Sequence, residues 1–277
     1  MFKAGIRVAS IESAFLELYR LDRLAAQDSA VHRLDARVKV LITALFLLCV
    51  VSFDKYTIAG MFPFALFLTV VLGASGIPLG FVVNKLILVA PLAVLIGLFN
   101  PVYDQQPMMQ MGGVTISGGW LSLCSLLLRF CLTVGAVLAL VAATGFNAVC
   151  MALQQLGMPA VFAVQLLLLY RYLFVLVEEG RRLDRARRLR SFQGRGLGLR
   201  TFAPLIGNLL LRTVDRSQRI HLAMRCRGFD GTIRTGRLSR LRGRDVLALV
   251  GAGAALLAMR LVDGPSLLGR LVTGLLT

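Results

Sequence analysis

Charge is scarce in this chain, and acidic charge scarcer still. Of 277 residues, 16% are charged and only 14 are Asp or Glu, while 57% are hydrophobic. Soluble globular chains run at about 25% charged and roughly 45–50% apolar. An ordinary water-soluble enzyme and a disordered tail protein are therefore both excluded. Histidine occurs twice, at His32 and His221, outside every long apolar run. The five cysteines (Cys49, Cys124, Cys131, Cys150 and Cys226) form no CxxC pair and keep no regular spacing. Buried thiols acting as small hydrophobes fit that pattern better than a disulfide framework or a metal centre. There is no Gly-x-x-x-x-Gly-Lys-Ser/Thr loop to cradle the phosphates of ATP. No Ser/His/Asp set falls on adjacent segments, and no apolar run carries Asp or Glu in its interior, as an ion pathway or proton relay would. The chain is expected to be non-catalytic, without a metal site or cofactor of its own.

Long apolar runs are what the sequence has in place of these features. They cover 38–53, 56–72, 77–99, 114–143, 158–177 and 246–262. A membrane-crossing helix needs about 20 mostly apolar residues, so the expected fold is an all-α integral membrane protein. The first two runs, parted by Asp54-Lys55, read as a helical hairpin. Within the fourth, 114–119 reads as loop and Trp120, the single tryptophan, as an interfacial aromatic at the start of the span. The N-terminal 1–37 mixes acids with bases and shows no apolar stretch before a cleavage site, unlike a signal peptide.

The cations are concentrated. Residues 180–244 hold 18 arginines against Asp184, Asp215 and Asp230, which is +15 of the formal +17. Lys and Arg favour the cytoplasmic side. Residues 1–39 carry seven bases and 101–119 none, which sets the N-terminus inside and 101–119 outside. Four spans return the chain to the cytoplasm near residue 144. Were 158–177 a fifth crossing, the arginine-rich segment would lie outside, against the rule. The expectation is therefore five crossings. A greasy-then-basic helix of about 159–192 stays cytoplasmic, a second amphipathic helix follows at about 201–226, and the last span is 246–262. Four segments result: an amphipathic 1–37, a four-span bundle at 38–143, a cytoplasmic 144–244, and a final span and tail at 245–277. Gly194–Gly198 reads as a flexible linker, because no strand precedes it as a phosphate-binding turn requires.

Arg129 falls nine residues after Trp120, and an unpaired arginine inside a bilayer costs at least about 2.5–3.5 kcal/mol. It is expected either to meet backbone carbonyls of a neighbouring helix or to contact a partner subunit. Leu166, Leu169 and Leu173 recur at helical spacing, so they form a stripe that must be covered, by the second amphipathic helix and by a membrane partner. Clustered arginine also suits nucleic acid or anionic lipid, and a membrane-anchored protein binding either is the alternative reading. One detail fits neither. Both basic helices end alike, in Leu189-Arg190-Ser191-Phe192 and Cys226-Arg227-Gly228-Phe229. Each sets an Arg beside a small residue and then an aromatic, as a tip entering an acidic pocket would.

Taken in order, these pieces resemble the T component of energy-coupling factor transporters, in its CbiQ-like branch. The likeness starts at His32-Arg33-Leu34-Asp35-Ala36-Arg37-Val38-Lys39, where the family usually has Pro in place of Ala36. It continues through Leu169-Tyr170-Arg171-Tyr172, Glu178-Glu179 and Arg187–Phe192, and closes at Ala223–Phe229. The family's pair of Ala-Arg-Gly-like tripeptides reads Leu189-Arg190-Ser191 and Cys226-Arg227-Gly228 here. The resemblance implies a scaffold in the inner membrane that links two cytoplasmic ATP-binding-cassette subunits to a separate substrate-capturing membrane subunit. ATP and magnesium belong to the ATPase partners, Arg190 and Arg227 to the coupling contacts, and no nucleic acid is involved. The branch implies cobalt uptake, with nickel next and a vitamin still open.

Overall fold

The computed structural model describes residues 22–29, 31–103, 107–111, 114–190, 199–232 and 242–261. The chain divides into two compact units, one of Leu24–Gly145 with Ser239–Thr277, the other of Phe146–Leu238 with Met1–Arg23.

In the first unit, α1 (Ala36–Val51) is followed by a 3-10 turn (Ala59–Met61) and α2 (Phe62–Ala74). Then come α3 (Leu79–Gly97), the single turn α4 (Asn100–Tyr103), strands β1 (Pro107–Met111) and β2 (Val114–Ser117), and α5 (Gly118–Thr144). The last helix, α9 (Gly243–Leu261), returns to pack along α1. The protein is an all-α membrane fold carrying one small antiparallel hairpin, in which Gln110 pairs with Thr115 and Met111 with Val114.

The core of this unit lies where α1, α2, α5 and α9 meet, around Phe46, Val50, Phe53, Met61, Phe64, Leu132 and Leu256. Phe64 meets Phe46 and Phe53 edge-to-face at 5.7 and 5.5 Å. Inside a bilayer apolar burial drives little, so close packing must hold the helices, and small residues permit it. Helix α5 follows that rule. Its buried face is Gly135, Ala136, Ala139, Ala142 and Ala143, and a Cβ on Gly135 would stand 3.0 Å from Leu68 Cδ2 of α2. Helix α3 meets α5 at Gly97, where a Cβ would come within 3.1 Å of Leu126. Most of its other side chains, including Ile87, Leu88 and Leu92, are exposed.

Three helices among the described residues are long and apolar enough to cross a membrane: Leu79–Gly97, Gly118–Thr144 and Ala160–Arg187. Helix α1 has 16 residues, about 24 Å of rise, and α9 carries Arg244, Asp245 and Arg260. Several expected boundaries move. The α1–α2 connection covers 52–58 instead of Asp54-Lys55 alone. Residues 114–117 are a strand, and Gly118-Gly119, expected as loop, form the buried first turn of α5.

The second unit holds α6 (Phe146–Gln155), α7 (Ala160–Arg190) and α8 (Leu199–Cys226). Gly157 stops α6 with φ +112°. Tyr170 of α7 is the pin. It stacks on Phe146 at 4.7 Å, meets Phe174 edge-on at 5.2 Å and donates its hydroxyl proton to Asp22 at 2.7 Å.

Candidate docking site on the arginine-rich helices

Helices α7 and α8 run antiparallel. Glu179 accepts a hydrogen bond from Arg212 at 2.9 Å part-way along both helices, and Val161 and Phe229 border a shared groove toward the start of α7 and the end of α8. Antiparallel packing sends the two C-termini in opposite directions. From the Glu179–Arg212 contact, α7 continues about 16 Å to Arg190 and α8 about 22 Å the other way to Arg227. The two arginines are therefore held roughly 40 Å apart along the pair, and do not share one pocket.

The local chemistry of each tip differs. At the α8 end, Gly228 N–H donates to Arg225 O and Phe229 N–H to Met224 O, both at 3.0 Å. Gly228 takes φ +77°, so this is the Schellman arrangement that closes a helix on a left-handed glycine. Arg227 is the capping residue and stays exposed, as does Cys226, while Phe229 tucks back half-buried beside Met224. A Cβ at Gly228 would meet nothing within 4 Å, so the glycine is required by the backbone and not by crowding. At the α7 end, Leu189 is 83% exposed and Arg190 is exposed. Ser191 lies outside the described residues. Neither Arg190 nor Arg227 has an acidic partner among the described residues. Arg187, by contrast, is largely buried against Asp184 at 3.3 Å, and Arg182 reaches Glu178 at 3.4 Å.

The leucine stripe splits. Leu169 is 54% exposed and lines the α7–α8 groove, whereas Leu166 and Leu173 are half-buried away from it. The expected single face is two faces, because the groove follows Leu168, Leu169, Tyr172, Val175 and Leu176. Arg129 belongs to the other unit. Helix α5 starts about 16 Å beyond it, so Arg129 sits level with the α1–α2 connection and donates to the Asp54 carbonyl.

The His32–Lys39 motif, visible in the sequence without a role, is a set of helix caps. Asp35, Lys39 and Asp245 are only 6%, 8% and 5% exposed. Asp35 caps α1 by accepting from Arg37 N at 2.9 Å, and its own N–H donates to Asp245 at 3.1 Å. Asp245 also accepts from Arg242 N at 2.9 Å at the start of α9. Lys39 donates to Ala143 O at 3.0 Å, on the carbonyl end of α5, and to His32 O at 3.3 Å. Three helix ends are thereby tied through two acids and one lysine. At the start of the motif, Arg33 meets both oxygens of exposed Asp28 at 2.8 Å and holds that carboxyl below its usual range. Among the described residues no group of three His, Cys, Asp or Glu gathers to hold a metal ion.

Comparison with known proteins finds a family and a relative for this chain. Residues 27–237 match the family described as CbiQ, cobalt transport protein. The chain is also similar to the energy-coupling factor transporter transmembrane protein EcfT of Thermosediminibacter oceani. The two are 25% identical over 246 residues, which cover 82% of this chain and 91% of that protein.

Proposed function

The chain belongs to the CbiQ family of cobalt transport proteins and is a T component of the energy-coupling factor type, and from that premise we propose that it couples two ATPase subunits to a substrate-capturing membrane subunit. Cobalt is the favoured cargo, on the family's description, and nickel the next. The observation that carries the reading is the placement of Arg190 and Arg227. They are exposed, lack an acidic partner among the described residues and stand roughly 40 Å apart toward opposite ends of one helix pair. Two separate guanidinium tips suit two separate copies of one partner. Forked, charge-assisted hydrogen bonds to carboxylates are directional enough to pass on a push. ATP and magnesium reside in the partners, and this chain takes no catalytic step. The arginine-rich unit is assigned to the cytoplasmic side of the inner membrane, on the charge asymmetry of 1–39 against 101–119.

The test is cobalt uptake and ATPase co-purification for Arg190→Ala, Arg227→Ala and the double variant. Arg200→Ala and Arg234→Ala serve as charge-matched controls. Each tip contact is worth about 1.5–3 kcal/mol if made to a carboxylate. Single variants should lose more uptake than binding, and the double variant should release the ATPases. Equal and mild effects across all five variants would remove the assigned role.

A further inference from the structure

Between the tips, α7 and α8 enclose a groove of two chemistries. An apolar trough of about 630 Å³ is lined by Leu168, Leu169, Tyr172 and Val175 of α7 and by Val214 and Ile220 of α8. It runs from Val161 to Leu176, about 22 Å of helix. At the Leu176 end it shares Leu176, Thr213 and Arg216 with a polar pocket of about 220 Å³ that adds Glu179, Arg212 and Arg219. Arg212, Arg216 and Arg219 are spaced i, i+4 and i+7, which brings them to one face of α8. Glu179 neutralises Arg212 at 2.9 Å. Arg216 and Arg219 have no acidic partner among the described residues, so the pocket presents two uncompensated cations at the mouth of an apolar channel.

We propose that this groove is a site for one anionic membrane phospholipid, with an acyl chain along the trough and the headgroup phosphate held by Arg216 and Arg219. The proposal rests on the proposed function, which assigns α7 and α8 to the cytoplasmic side of a membrane-bound T component. Charge complementarity selects the occupant. An apolar helix from a partner protein would fill the trough but leave two cations facing nothing, whereas an anionic amphiphile satisfies both ends. Guanidinium forks match phosphate oxygens in the plane. The trough is also longer than the roughly 15 Å depth of one leaflet's hydrocarbon, so it can take an acyl chain. Seated there, the lipid covers Leu169 and Val214, which are 54% and 45% exposed.

The experiment is native mass spectrometry of the full chain after incubation with equimolar phosphatidylglycerol and phosphatidylcholine of identical acyl chains. One phosphatidylglycerol adduct should persist, in preference to phosphatidylcholine. Arg216→Ala with Arg219→Ala should weaken it about thirty-fold, the effect of two surface arginines on anionic lipid. The double Lys variant should keep most of it, and Leu169→Trp, which blocks the trough, should remove adducts of both lipids. Circular dichroism verifies that each variant keeps its helices. The proposal is overturned by equal retention of the two lipids, by an adduct indifferent to the double Ala change, or by full displacement with inorganic phosphate, which would mark a free-anion site. It is also overturned if a photoreactive residue at position 169, in the assembled transporter, labels a protein partner instead of lipid. Arg190 and Arg227 are untouched by these variants. ATPase co-purification therefore tests the coupling function separately from the lipid.

Discussion

The two units use the same kind of cation for opposite ends. In the bundle, long cationic side chains are turned inward onto backbone: Lys39 on Ala143 O, Arg129 on Asp54 O, and Arg260 on Ser52 O at 2.9 Å with its guanidinium 4.2 Å over the Phe53 ring. Each meets carbonyls at or just beyond the C-terminal end of a helix, where the macrodipole favours a cation. In the second unit Arg190 and Arg227 are exposed, Arg216 and Arg219 line the pocket between α7 and α8, and none of the four meets an acid among the described residues. The difference separates two jobs that composition alone blurs. A membrane protein needs its buried helix ends capped, since no water is there to do it, and it needs other cations left open if it is to grip something else.

Stability and coupling should therefore break apart on mutation. Lys39→Met should have the largest effect on stability. It strips two carbonyls of their donor and removes the cation near buried Asp35, a loss of about 1–3 kcal/mol for each buried group left unsatisfied. The thermal midpoint in detergent should fall by several degrees, while Arg190→Ala leaves it unchanged. Arg260→Met comes next, at about 1 kcal/mol for the exposed carbonyl bond and the ring contact together. Its signature is the same fall in midpoint with the ATPases still bound. The smallest effect on the midpoint comes from Gly228→Ala. A left-handed alanine costs about 1–2 kcal/mol locally, which frays the last turn of α8 without touching the bundle. Uptake should drop modestly with the midpoint intact, and Gly228→Asn should be milder, because Asn tolerates that conformation. If Lys39→Met left the midpoint unchanged, the division between inward and outward cations would fail on its inward side.

Much of this arrangement was legible from residue patterns, and the rest was not for physical reasons. Apolar runs marked α1 to α3, α5, α7 and α9, because hydropathy over about 20 residues is a strong signal in a membrane chain. The ten residues of α6 escaped, since Phe146–Gln155 is too short and too interrupted by Asn147, Gln154 and Gln155 to register as a span. Gly118-Gly119 looked like loop, yet small residues at a membrane helix contact are what close packing asks for. The tips were visible as repeated Arg-plus-small-residue signatures. The Schellman closure at Gly228 leaves one local mark, a Gly just past the helix. The Asp35–Asp245 bond joins residues 210 apart, and nothing local encodes that meeting. The groove cations escaped as well. Arg212, Arg216 and Arg219 do recur at helical spacing, but their pocket exists only once α7 brings Glu179 and Leu176 alongside.

Under the proposed function, Arg190 and Arg227 each contact a different ATPase copy while the bundle cations contact none. Photoreactive residues placed singly at 190, 227 and 260 in the assembled transporter test it most directly. ATPase adducts are expected from 190 and from 227, with two ATPases captured by one chain when both positions are loaded together, and none from 260. Adducts from only one tip, or a single ATPase captured by the doubly loaded chain, would contradict it.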